Sequence, residues 1–202
     1  MGRALFADVD FRRAARELAI EHGPAAVTVG AIAKRLRAPV GSFYHRFTSR
    51  DLLLGELWLE TVLAYQQGFI AAIEGGDGLA ASLHMPAWVR EHLDDARLLL
   101  LYGRHDFAEG NWPASLKRGV ADQARRFVTY VERFAGAAFG RTGPEEVRRA
   151  QFVLVDVPGA AVKPHLQRRE LPPLLVDDLI RATYNAIVGD RRVHRPRKED
   201  SR

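Results

Sequence analysis

Apolar residues recur at three- and four-residue spacing along nearly the whole chain, which restricts it to a helical fold. No stretch alternates apolar and polar residues between hairpin turns, so a sheet has nothing to be built from. The spacing predicts a first helix over 8–22 with Phe11, Ala14, Ala15, Leu18 and Ala19 on one face, ended by Gly23-Pro24 in a left-handed cap. Thr28 can cap a second helix ending near Leu36, and a third fits 39–45 with Pro39 in its first turn. Thr48 or Ser49 opens a long fourth helix, because Thr48-Ser49-Arg50-Asp51 has the form of a capping box with Asp in place of Glu. Further helices are expected over 79–92, with Pro86 as a point of interruption, over 95–108, and from Pro113 to Phe139. Another starts at Gly143-Pro144 and should kink at Pro158, whose missing N–H leaves the Leu154 carbonyl unpaired. The last runs from Leu171-Pro172-Pro173 to near Gly189.

The formal charge is +5, and its placement is more informative than its size. Residues 1–50 hold nine Lys/Arg against four acids, a surplus equal to that of the whole chain. A basic N-terminal quarter suits a phosphate-binding module. A second basic cluster, Arg191, Arg192, Arg195, Arg197 and Lys198, lies in a Pro-containing tail read as a flexible end. The absence of cysteine excludes disulfides, thiolate nucleophiles and cysteine-based zinc sites, and fits a cytoplasmic protein. No apolar run is long enough to span a bilayer, and the N-terminus lacks a secretory apolar region, so no membrane partner is expected.

From Thr28 to Leu53 the pattern becomes specific: two short helices joined by a tight turn, then a capped support helix. Such a pair can lay its second helix in a major groove. Val40, Gly41 and Ser42 are short enough for close approach, while Tyr44, His45 and Arg50 supply donors. Taken singly, Tyr44 reads as a core aromatic and Arg37, Arg46 and Arg50 as a solvated face. Their joint order carries the DNA reading.

That order resembles the DNA-binding domain of the TetR family. It comprises Ile32-Ala33, Gly41, Phe43-Tyr44, Phe47 and a Ser49-Arg50-Asp51-x-Leu53 start, preceded by Ala14-Ala15-x-x-Leu18 and Gly23, and it covers about residues 6–60. The resemblance implies that Thr28 caps the second helix and touches phosphate. Tyr44 would donate to phosphate, and Arg50 would stand where a lysine phosphate contact is common. Phe43 and Phe47 would lie in the core. Arg46 and Ala38-Pro39 depart from the family pattern, which bears on the bases read. The DNA-binding set is then Thr28, Val29, Arg37, Ala38, Pro39, Val40, Gly41, Ser42, Tyr44, His45 and Arg50.

The implied architecture is all-α. A helix-turn-helix domain over 1–52 is linked by the fourth helix, from about residue 49, to a ligand-binding and dimerisation bundle over 53–190, with a tail over 191–202. The implied function is a transcription regulator, a ligand-released repressor acting as a homodimer on double-stranded DNA with a near-palindromic operator. Its effector is an unidentified small molecule, uncharged or mildly acidic and of aromatic size. No cofactor or metal is implied. Candidate ligand residues are His84, Trp88, Tyr102, His105, Trp112, Phe127 and Tyr130; candidate dimer residues are Phe152, Val155, Val176, Leu179, Ile180, Thr183 and Ile187.

No catalytic template is found, whether nucleophile elbow, phosphate-cradling loop or HExxH helix, so an enzyme is not expected. His84, His92 and His105 with Asp94, Asp95 and Asp106 match no metal-site spacing, which makes a metal-dependent enzyme the remoter alternative. The other is a helical protein-binding adaptor with a non-functional reading head, against which Gly41, Tyr44 and Arg50 argue.

Overall fold

The computed structural model describes residues 6–107 and 112–189, so the basic tail, Gly110 and Asn111 lie outside the described residues. Those described residues form helices and connecting turns, with no strand. The helices are α1 (Asp8–His22), α2 (Val29–Leu36), α3 (Gly41–Tyr44), α4 (Arg50–Glu74), α5 (Gly78–Glu91), α6 (Leu93–Leu101), α7 (Arg104–Phe107), α8 (Ala114–Phe139), α9 (Pro144–Gln151), α10 (Val157–Arg168) and α11 (Leu175–Val188).

The N-terminal core forms around Phe11, which packs on Phe43 and Phe47 with ring centroids 6.0 and 6.1 Å away. Ala14, Ala15 and Leu18 of α1, Ile32 of α2 and Leu53, Leu54 and Leu57 of α4 complete the inner wall. Two further members come from far along the chain: Leu98 of α6 and Phe107 of α7, both almost fully buried. Gly23 ends α1 at φ 84° and ψ 162°, a positive-φ conformation outside the expected left-handed cap. It also faces the Tyr102 hydroxyl, 3.0 Å from where a Cβ would stand. The conformation requires glycine here, and the Tyr102 hydroxyl leaves little room beside it.

At the start of α4 the capping box does not form. Ser49 alone is the cap, its Oγ accepting from the Leu52 N–H at 3.1 Å, while Asp51 pairs with Arg50 instead. The long helices α4 and α8 run in the same direction. Gly55 meets Trp112 and Leu116 near one end, and Glu74 meets Tyr130 at the other. Helix α5 continues through Pro86 without the anticipated interruption.

Between α9 and α10 the helix widens over Phe152–Asp156, and the Val157 N–H reaches back to the Phe152 carbonyl. In that five-residue register the donor for the Val153 carbonyl would be the nitrogen of Pro158, which carries no hydrogen. The orphan is therefore Val153, not Leu154 as the α-register implied. Ser82 of α5, fully buried, supplies the missing donor with Oγ 2.6 Å from the Val153 carbonyl. Ser82→Ala should lower stability by about 1–3 kcal/mol by leaving this acceptor unsatisfied. A urea midpoint equal to that of the wild type would show that the hydroxyl is dispensable.

Candidate nucleic-acid interface

Helices α2 and α3 and the turn between them present one exposed face. Thr28 caps α2, its Oγ1 accepting from the Ala31 N–H at 3.0 Å, and stays exposed. Arg37 closes α2 in the left-handed conformation, φ 55°, with its side chain exposed. Pro39, Val40, Gly41, Tyr44 and His45 are exposed, whereas Val29, Ala38 and Ser42 are half-buried.

Tyr44 is 61% exposed; its ring rests edge-on against buried Phe43 at 5.4 Å, and its hydroxyl has no partner among the described residues. It is therefore not a core aromatic. Gly41 has an ordinary helical φ, and a Cβ built on it meets nothing within 4 Å. Nothing among the described residues calls for glycine there.

The basic surplus is mostly consumed within the fold. Arg12 pairs with Glu56 and Glu60, Arg13 with Asp10, Arg16 with Asp95, and Arg35 with Glu17 and Glu21. The hydrogen bond from Arg35 is the main cause of a Glu21 carboxyl held below its ordinary value. Arg46 pairs with Asp8, donates to the Phe6 and Ser42 carbonyls and lies over the Phe11 ring. The two helix-turn-helix cations with no ion pair among the described residues are Lys34 and Arg37, both on the exposed face.

Arg50 departs from its expected place. Its Nε donates to the Val27 carbonyl, one terminal nitrogen to the Pro24 carbonyl at 2.9 Å, and the other to Asp51 at 2.9 Å. The guanidinium fork thus straps the turn between α1 and α2 onto the start of α4, and every nitrogen is engaged within the chain.

Residues 11–57 match the family model described as bacterial regulatory proteins, tetR family. The N-terminal domain is that of a TetR-family regulator. The chain is accordingly a DNA-binding transcription regulator, and its head is followed by a helical region. A comparison with curated proteins returned no match. Among the described residues, no helix is long and apolar enough to cross a membrane.

Behind the TetR-type head, the seven candidate ligand residues do not converge. His84 and Trp88 stack around Tyr65, with centroids 5.2 and 5.3 Å away. Tyr102 packs under Gly23 in the head, and His105 is exposed beside Asp106. Trp112 is buried where α4 meets α8; Phe127 lies on Phe69, and the Tyr130 hydroxyl donates to Glu74 at 2.5 Å. Aromatic spacing along sequence selected packing residues, which serve several separate clusters. Likewise, His84, His92 and His105 are scattered, and among the described residues no three His, Asp or Glu side chains gather as a metal site.

A cleft of about 610 Å³ lies instead between α4 and α8, lined by Leu63, Gln66, Gln67, Ile70, Gln123 and Arg126 among others. None of the seven candidates lines it. A legible signal existed in Gln66, which falls one helical turn from Val62 and from Phe69 and Ile70 on an inward stripe.

The dimer candidates divide. Phe152 and Leu179 are exposed, Val155, Thr183 and Ile187 half-buried, while Val176 and Ile180 belong to the chain's own core against α5 and α10. The outward stripe of α11 is Leu175, Leu179, Ala182 and Ala186. The expected dimer residues of this helix are thus split between its two apolar stripes, with Leu179 outward and Val176 and Ile180 inward.

Arg50→Ala should lower stability by about 1–3 kcal/mol, since two carbonyls lose charged donors, whereas Tyr44→Phe should leave it unchanged. Equal thermal midpoints for both would show that the strap carries no load. Burial holds the His84 imidazole below its ordinary value, against the opposing pull of the Tyr65 carbonyl that accepts from its Nε2 at 2.7 Å. Below about pH 6.5 the unfolded chain therefore takes up more protons than the folded one, and stability falls as pH drops through that window. His84→Gln should flatten this fall between about pH 7 and 5.5 in urea titrations; an unchanged slope would mean that the ring titrates as it does in water.

Proposed function

We propose that the chain is a ligand-released repressor that binds a near-palindromic operator as a homodimer. The observation that carries this reading is the face of Val40, Gly41, Tyr44 and His45, exposed and without an internal reason for its composition. A glycine that no described neighbour requires, beside a tyrosine whose hydroxyl has no partner among the described residues, suits close approach of a backbone phosphate and base edges. Lys34 and Arg37 flank this face and have no ion pair among the described residues.

Support for a second copy comes from the C-terminal surface. Leu171, Leu174, Leu175 and Leu179 are each more than half exposed and Phe152 is 41% exposed. Leucine in water at this density is costly, and a two-fold partner would cover it while setting two reading heads on successive major grooves, roughly 34–36 Å apart.

Release runs through α6. Arg16 of α1 pairs with Asp95, Arg97 donates to the Leu166 carbonyl at the end of α10, and Leu98 enters the head core. One short helix therefore touches the head and α10, which packs against α11 of the dimer face. A molecule in the α4–α8 cleft that favours another setting of α4 shifts the separation of the two heads.

Selection from a random duplex library at near-physiological salt tests the reading. Enrichment of a palindrome with half-sites about one helical turn apart is expected. Gly41→Ala should bind the enriched duplex at least tenfold more weakly while gaining up to about 1 kcal/mol of stability, because alanine is the better helix former. No enrichment, or full affinity in Gly41→Ala, would overturn it.

A further inference from the structure

The walls of the α4–α8 cleft carry a chemical preference. Helix α8 is buried at Leu116 and Val120 and again at Val131, Phe134 and Ala135, but across the intervening three turns it has no buried residue. The packing between α4 and α8 narrows there to Phe127 on Phe69, with centroids 5.0 Å apart, and three glutamines line the gap beside it: Gln66 and Gln67 from α4 and Gln123 from α8. Gln66 is only 8% exposed. None of the three amides has a hydrogen-bonding partner among the described residues, although all line one cleft.

The Gln66 amide is not sealed off: among the described residues the buried side-chain atoms left without a partner are Asp95 Oδ1 and Trp112 Nε1, so the amide opens on the cleft, where water or a bound group can pair with it. The charged groups of the cleft stand at its exposed rim. Glu74 accepts from the Tyr130 hydroxyl, Asp122 pairs with Arg125, and the Arg126 guanidinium lies over the Tyr130 ring. A carboxylate can accept from the Gln66 N–H but cannot donate to its carbonyl, and an amidinium does the reverse, whereas a neutral group bearing both a donor and an acceptor pairs with the amide at both ends. Leu63, Ile70 and Ala71 supply the apolar remainder, and the volume suits a small organic molecule.

We propose that this cleft is a binding site for a neutral, carboxamide-like ligand, with Gln66 as the buried anchor and Gln123 as the facing partner. This deepens the effector-release reading above and rests on it for its biological role, although the binding itself does not. The site takes a flat amphiphile whose amide, lactam or urea group pairs with Gln66 and whose apolar body lies along Ile70.

The test uses three nearly isosteric probes, benzamide, benzoate and benzamidinium, titrated into the full chain by ligand-observed NMR. Benzamide is expected to bind at least tenfold more tightly than either ion, and Gln66→Leu to weaken it at least tenfold. Gln123→Leu, at a half-buried position where folding is less at risk, should weaken it by a smaller factor. Preference for either ion, benzamide affinity unchanged in both variants, or no binding of benzamide would overturn the proposal. Duplex selection on the same preparation separates the two readings. Enrichment without benzamide binding sinks the cleft assignment alone, and benzamide binding at Gln66 without enrichment sinks the repressor reading alone.

Discussion

The structure depends on the entry of α6 and α7 into the core of the reading head. Leu98 and Phe107 close a cluster that α1, α2, α3 and the start of α4 leave open, and Tyr102 fills the space kept by Gly23. A unit of some fifty residues buries too little apolar surface to be robust on its own, and here it borrows from the bundle behind it. The Arg16–Asp95 pair fixes the same contact electrostatically. The head is consequently not a bead on a hinge, and a shift of α6 cannot leave it unmoved.

The second constraint is the fate of the arginines. A basic N-terminal quarter suggested a broad phosphate-binding surface, yet Arg12, Arg13, Arg16, Arg35, Arg46 and Arg50 all have carboxylate or carbonyl partners within the chain. They hold the head together and against its neighbours. The exposed face itself is lightly charged, Lys34 and Arg37 being its cations without an ion pair among the described residues, so on the proposed reading its recognition rests on shape and on Tyr44 as well as on charge.

Much of this was legible in the sequence. Helical periodicity and caps set α1, α2, α4 and α8 within a residue or two, because each begins or ends at a residue with one dominant local preference: Gly23, Thr28, Ser49, Pro113 and Gly140. The order Gly41, Phe43-Tyr44, Phe47 located the interface, since buried and exposed aromatics alternate there in a way that few other patterns require. Legibility failed where the answer lay between elements. The destination of the Arg50 fork depends on carbonyls more than twenty residues away. The widened turn before Pro158 depends on Ser82 in another helix. Which of two apolar stripes on α11 faces inward is decided by α5 and α10, and aromatics spread along α5 to α8 do not by their spacing reveal which share a cavity.

The most direct measurement is amide hydrogen exchange on full-length Leu98→Ala. Removing this side chain opens a cavity at a cost of about 2–5 kcal/mol. If the head core is shared, exchange should quicken in α1, in α2 and in the first turns of α4 as well as in α6. Acceleration confined to α6, with α1 and α2 exchanging as in the wild type, would mean that the head folds independently of the bundle and that α6 cannot drive it.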